Sequence, residues 1–166
     1  MNFYDRLLVE TSAARAEFLS IPILRRALEG SVSRALYIEF LKQAYHHVRH
    51  TCPLLSLAAA RTQDGSYRKS LYTYIEEERG HEEWILSDIA AMNGDVEGTK
   101  AMPARPACRA MVGYAYYAID WISPYALLGM VHVLEGMSVQ LAANAAGALK
   151  KSIGPVDDRG FRYLTS

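Results

Sequence analysis

Two pairs of side chains in this 166-residue chain combine a carboxylate and an imidazole three positions apart. Glu78 precedes His81, whereas His132 precedes Glu135. Residues at this spacing share a helix face, and helical bundles build iron and manganese carboxylate sites from such residues on facing helices. Mixed nitrogen and oxygen ligands suit iron or manganese, and zinc stays open. The pattern makes Glu78, His81 and Glu135 candidate metal ligands.

Glu135 is the only charged residue between Asp120 and Lys150. The residues around it are apolar or small on every face, which predicts a helix buried in the centre of the protein. A buried carboxylate loses several kcal/mol or more of hydration free energy unless a partner compensates. A metal ion would do so, and a salt bridge to an arginine of a neighbouring helix is the rival interpretation. His132 would then orient Glu135, add a ligand, or simply be a hydrogen-bonded core histidine.

Helical periodicity runs through almost the whole chain, and strand patterns are nearly absent. Caps, glycines and prolines divide it into predicted segments. We expect helices over residues 3–19, 23–28, 33–61 with a kink at Pro53, 67–92, 107–119 and 124–153, and a loop over 95–105. Ser31 or Ser33, Ser66 and Ser123 are the predicted caps. The buried stripe of the 67–92 helix passes through Glu78 and His81.

Further polar side chains are candidates for the lining of a pocket. His47 and His50 lie one turn apart on the flank of a predicted buried face. His47 is the better candidate for an additional ligand or proton donor. Tyr74, with Tyr116 or Tyr117, could line the same pocket, although tyrosines at helical spacing are more often core residues.

The composition excludes some classes of partner. Lys+Arg and Asp+Glu number 18 each, which argues against nucleic-acid binding. The N-terminus lacks the apolar segment of a secretory signal. The 121–149 stretch is long enough to span a bilayer, but no other segment looks membrane-like, so we expect no membrane association. Cys52 and Cys108 have no disulfide or metal spacing, which indicates reduced thiols in a cytoplasmic protein.

Three stretches resemble the heme-oxygenase-like superfamily, namely YIEFLKQAYHHVRHTCPLL, YIEEERGHEEWILSDIAAMNGD and SPYALLGMVHVLEGMSVQLA. This superfamily includes TenA-type thiaminases, pyrroloquinoline-quinone synthases and non-heme di-iron oxidases. The resemblance implies an all-α, TenA-like helical bundle forming a single domain over residues 1–166.

In the di-iron branch, a glutamate and a histidine come from the second core helix and a glutamate from the next. The last helix adds an H-x-x-x-D-x-x-H set. Glu78, His81 and Glu135 match the first three ligands, and no residue matches the last set, since the sequence stops at Ser166. The resemblance therefore implies one or two non-heme iron ions, with manganese as an alternative. It also implies a domain that lacks its last helix, a domain that takes this helix from another chain, or a different function.

The leading functional expectation is an iron-dependent, O2-activating oxidoreductase that acts on a small organic substrate. One alternative is a metal-free enzyme, similar to TenA or a quinone synthase, acting on a heterocycle. TenA-type thiaminases use a cysteine in the central helix, and this chain has none from Pro124 to Leu149. Another alternative is a non-catalytic helical protein with a buried salt-bridge network. An absent last helix would expose core surface, so we also expect a homo-oligomer.

Overall fold

The structure, a computed structural model, describes residues 1–153 and 158–165, without the side chains of 137–145 and 158. Every regular element in these ranges is helical, which confirms the all-α prediction. The α-helices are α1 (Phe3–Glu10), α2 (Ser12–Leu19), α3 (Pro22–Leu28), α4 (Arg34–Val48), α5 (Thr51–Arg61), α6 (Gly65–Glu78), α7 (His81–Ala91), α8 (Val96–Ala101), α9 (Pro106–Tyr117), α10 (Ala126–Ile153) and α11 (Arg162–Thr165). A π-helix, Ala118–Ile122, follows α9, and a 3-10 turn, Asp158–Phe161, precedes α11. None of the described helices is long and apolar enough to cross a membrane.

Two apolar clusters form the core. The first joins α4 and α7 to the C-terminal end of α10 and to the C-terminal segment, with Leu41, Ile89 and Phe161 at its centre. The second joins α5, α6, α9 and the start of α10, around Leu54 and Ile119. Since α6 belongs to the second cluster and α7 to the first, the α6–α7 junction connects the two.

The prediction of one continuous helix over residues 67–92 is wrong, because the chain forms two helices that are separated between Glu78 and His81. Arg79 is extended, with ψ 118°, and Gly80 has φ 92°. Residues with a Cβ rarely adopt this left-handed conformation, so glycine is what allows the chain to turn here. The break makes Glu78 the last residue of α6 and His81 the first of α7.

Other predicted boundaries differ as well. The 3–19 helix divides at Thr11, whose hydroxyl donates to the Leu7 carbonyl. The 95–105 loop contains α8, which Asp95 caps by accepting from the Gly98 N–H. The long helix begins at Ala126 rather than at Pro124, and its predicted end at residues 154–155 lies outside the described residues.

Side-chain caps explain where two core helices begin. Ser33 caps α4, because its hydroxyl accepts a hydrogen bond from the Leu36 N–H. This confirms one of the two alternative caps predicted for this helix. Asp64, not Ser66, caps α6, because its carboxylate accepts from the N–H groups of Ser66 and Tyr67. A carboxylate is also favoured by the helix dipole at this end.

The C-terminal segment is held by a buried carboxylate. Asp88 is 0% exposed and accepts from the backbone N–H groups of Arg162 and Tyr163 at 3.1 and 2.9 Å. Phe161 stacks on Tyr37 with ring centroids 5.3 Å apart. The Tyr37 hydroxyl donates to the Gly160 carbonyl. These contacts fix the start of α11 against α4 and α7.

We predict that Gly80→Ala lowers the free energy of unfolding by about 1–2 kcal/mol, because alanine is strained at positive φ. A Cβ at Gly80 meets no atom within 4 Å, so the effect isolates the backbone. Urea unfolding measures it. Gly65→Ala is the control, since Gly65 has equal space and no positive φ. Equal stabilities of the two variants would contradict the account.

Asp88 predicts a pH dependence of stability. Burial raises the pKa of Asp88 from 3.8 to about 6. The folded protein therefore binds this proton more tightly than the unfolded chain, so the contribution is complete below the unfolded pKa and is lost as the pH rises through 6. As the pH falls from 7 to 5, protonation of Asp88 should increase the free energy of unfolding by roughly 1–1.5 kcal/mol.

Urea unfolding of the wild type and of Asp88→Asn at both pH values tests this. Asparagine cannot titrate, so the variant should lack this increment. An identical pH dependence in the two proteins would show that Asp88 does not carry it.

Candidate functional site

The Glu78 and His81 side chains meet across the α6–α7 break. Their Oε2 and Nδ1 atoms are 3.1 Å apart, and both side chains are partly buried. The His81 ring also packs against Trp84, with centroids 4.1 Å apart. The predicted pair is thus brought together, although its members lie on two helices rather than one. With Nδ1 beside Glu78, the other ring nitrogen, Nε2, is the one that could take a further partner.

Glu135 reaches the same region from α10. The Tyr74 hydroxyl, on α6, donates a hydrogen bond to its carboxylate. Burial raises the pKa of Glu78, the His81 charge lowers it, and the charge of Glu135 raises it again. Two carboxylates from α6 and α10 therefore lie near each other, with an imidazole from α7 beside one of them.

The prediction that Glu135 is buried is wrong. Glu135 is exposed, as are Gly129, Val133 and Gly136 on the same helix. The first half of α10 is apolar on every side, but the described helices cover only some of these sides. This half of α10 therefore lies at the edge of the bundle. Sequence periodicity shows that a helix can be buried on all sides, but not that neighbouring helices cover every side.

Tyr163 is a site residue that the sequence did not suggest. Burial raises its pKa to about 12, and the charges of Glu135 and Glu78 contribute. The phenol of α11 therefore lies within electrostatic range of both carboxylates. Its neighbour Arg162 places its guanidinium over the Trp84 ring, 4.3 Å from the centroid. Nothing in the local sequence indicates this placement, since it depends on the distant Asp88.

Three other predicted residues, His47, His50 and Tyr116, form a second group. The His50 Nδ1 and the Tyr116 hydroxyl are 3.1 Å apart, and the rings meet edge to face. The His47 Nε2 is buried without a hydrogen-bond partner. Burial lowers the pKa of His47, and the charge of His50 lowers it further. This group of His47, His50 and Tyr116 lies at the junction of α4, α5 and α9.

The last two candidates lie elsewhere. The His132 Nε2 is 3.3 Å from the Thr11 hydroxyl, and its ring meets Tyr4 edge to face. His132 therefore contacts the N-terminal helices. Tyr117 is exposed and packs near Tyr114 on the surface.

By donor type, Glu78, His81 and Glu135 fit a divalent iron ion, because two carboxylates and an imidazole give mixed oxygen and nitrogen ligation. Burial and then the charge of Glu135 raise the pKa of Glu78, and a bound cation would lower this pKa again. Within residues 1–153 and 158–165, no three His, Cys, Asp or Glu side chains surround one point as metal ligands do. In the described part of the chain, these three side chains therefore do not form a closed metal site.

A family described as iron-containing redox enzymes matches residues 38–166. This chain belongs to that family. The match begins within α4 and includes α6, α7, α10 and α11, the helices that carry both carboxylates, His81 and Tyr163. The family description concerns redox enzymes. The family also agrees with the resemblance found in the sequence. Among curated proteins, none is similar enough to count as a match.

Two solved structures show the same fold. A domain of unknown function with a heme oxygenase-like fold, from Shewanella denitrificans, superimposes with a TM-score of 0.87 at 21% identity, covering 99% of this chain and 72% of its own. A TenA homolog from Pseudomonas syringae superimposes with a TM-score of 0.81 at 15% identity, covering 97% and 71%. These similarities confirm the heme-oxygenase-like architecture.

We predict that Glu135→Gln lowers the pKa values of Glu78 and Tyr163, because it removes a negative charge that raises both. Carbon NMR of the carboxyl groups and the ultraviolet absorbance of tyrosinate measure these shifts. Glu17→Gln, an exposed glutamate on α2, is the control and should change neither. Unchanged titrations in Glu135→Gln would mean that the three groups do not share a site.

Proposed function

We propose that this protein is an iron-dependent, O2-activating oxidoreductase that acts on a small organic substrate. The observation that supports it most is the juxtaposition of Glu78 and Glu135, close enough for the charge of one to raise the pKa of the other, with His81 3.1 Å from Glu78. Membership of a family of iron-containing redox enzymes points to the same chemistry.

Glu78, His81 and Glu135 would hold the iron, and manganese is the alternative ion. Bound iron supplies the electrons that O2 needs to react with an organic molecule. The protein's part is to orient the ligands. The Tyr74 hydroxyl holds the Glu135 carboxylate, and Trp84 supports one face of the His81 ring.

Tyr163 would contribute a proton donor. With a pKa of about 12, its phenol stays protonated at neutral pH. It can therefore donate a hydrogen bond to a carboxylate or to an anionic group of a ligand beside Glu78 and Glu135. The partly buried position of Glu78 and His81 limits access of bulk water to one side of the site.

The proposal predicts anaerobic binding of about one or two equivalents of Fe(II), followed by O2 consumption on exposure to air. Glu78→Gln and Glu135→Gln should each weaken binding about tenfold or more, because each removes a charged ligand. Isothermal titration calorimetry and an oxygen electrode measure the two effects.

Glu76→Gln is the matched control, since Glu76 lies on the same helix but pairs with Arg79 at the surface. It should bind iron as the wild type does. If the wild type binds no more iron than the two site variants, the proposal fails.

A metal-free enzyme acting on a heterocycle is the second candidate, and the His50–Tyr116 pair favours it. An imidazole and a phenol 3.1 Å apart can exchange a proton. The unpartnered His47 Nε2 could bind a ring nitrogen or oxygen of a substrate. Turnover that persists after iron is removed by a chelator, and that His50→Gln abolishes, would select this candidate over the first.

A further inference from the structure

One surface of the protein is unusually rich in exposed apolar side chains. It is formed by α9, the π-helix and the start of α10, and we call it the aromatic face. Residues three or four apart share one side of a helix. Met111, Tyr114, Tyr117 and Trp121 are spaced in this way along α9 and the π-helix, as are Gly129 and Val133 on α10. Its exposed members are Met111, Tyr114, Tyr117, Trp121, Ile122, Tyr125, Leu128 and Val133.

The aromatic face contains a pocket of about 310 Å3 between α9 and α10. Small residues form much of its lining, including Ala115, Ala118, Ala126 and Gly129, and Met111 and Val133 also line it. A Cβ added at Gly129 would meet no atom within 4 Å. At about 30 Å3 per water-sized group, the pocket has room for about ten such groups, which suits an indole ring.

The same face carries an indole that projects outward. Trp121 is 76% exposed, the highest fraction among the members of the face. A buried tryptophan is among the strongest single contributors to protein interfaces. Trp121 and the pocket both belong to the aromatic face. Two copies related by a two-fold axis could therefore each insert Trp121 into the pocket of the other copy.

The charge of the face fits a second copy. From Met111 to Leu134 the only charged residue is Asp120, which forms an ion pair with Arg61. Two such surfaces approach each other without repulsion. A membrane-binding surface or a nucleic-acid footprint would instead carry clusters of lysine and arginine.

The area is also sufficient. If each of the eight large side chains, fully exposed, is taken at about 150–250 Å2, the range for aromatic residues, their exposed parts amount to on the order of 800 Å2. An interface of standard size buries about that area on each partner. We propose that the aromatic face binds a second copy of this chain, with Trp121 of each copy in the pocket beside Gly129 of the other.

Sedimentation equilibrium across a wide range of protein concentrations tests the proposal. The wild type should be a dimer that dissociates on dilution. Trp121→Ala, which removes the projection, and Gly129→Leu, which fills the pocket, should each weaken dimerisation about tenfold or more. Both sites are open to solvent in the single chain, so both variants should fold, and circular dichroism checks this.

Gly147→Leu is the matched control. Gly147 lies on the same helix, about 27 Å from Gly129 at 1.5 Å per residue, and a Cβ there also meets nothing within 4 Å. It should dimerise as the wild type does. Trp84 and Trp121 are the only tryptophans, so in Trp84→Phe the emission reports Trp121 alone and should shift to shorter wavelength as the dimer forms.

A wild type that stays monomeric at every concentration, with Trp121 emission unchanged, would overturn the proposal. So would a dimer that neither Trp121→Ala nor Gly129→Leu weakens. Binding of a hydrophobic dye to a monomer, lost in Gly129→Leu and retained in Gly147→Leu, would instead identify the pocket as a small-molecule site.

Discussion

Glu78 and Glu135 place two negative charges near each other where α6, α7, α10 and α11 meet. Carboxylates repel, and partial burial of Glu78 weakens the screening by water. The surrounding groups offset this repulsion. The His81 imidazole lies 3.1 Å from Glu78, and the Tyr74 hydroxyl donates to Glu135. Tyr163 adds a phenol that stays protonated. A divalent cation would offset the repulsion more strongly than any of these.

The helix α7 connects this site to the rest of the fold. Its first residue, His81, contacts Glu78, and Trp84 packs on His81 one turn later. Asp88, a further turn along, accepts from the N–H groups of Arg162 and Tyr163. One short helix therefore positions a candidate ligand, supports its ring and holds the segment that carries Tyr163. A change at Asp88 should reach the site through this segment.

Local spacing predicts the all-α class and the Glu78–His81 pair, whereas the heme-oxygenase-like architecture is implied by the resemblance of three stretches to that superfamily. The pair survives even though the helix breaks between its members, since Gly80 turns the chain without separating Glu78 from His81. Three features depend on long-range packing and are not visible locally. They are the exposure of Glu135 at the edge of the bundle, the placement of Tyr163 through Asp88, and the pairing of His50 with Tyr116.

X-ray absorption of the protein reconstituted with Fe(II) under nitrogen tests the central claim most directly, because it reports the atoms bound to iron. The account predicts a nitrogen and oxygen shell with the scattering of one imidazole, and it predicts that His81→Gln removes the imidazole component. An all-oxygen shell that is the same in the wild type and in His81→Gln would contradict it.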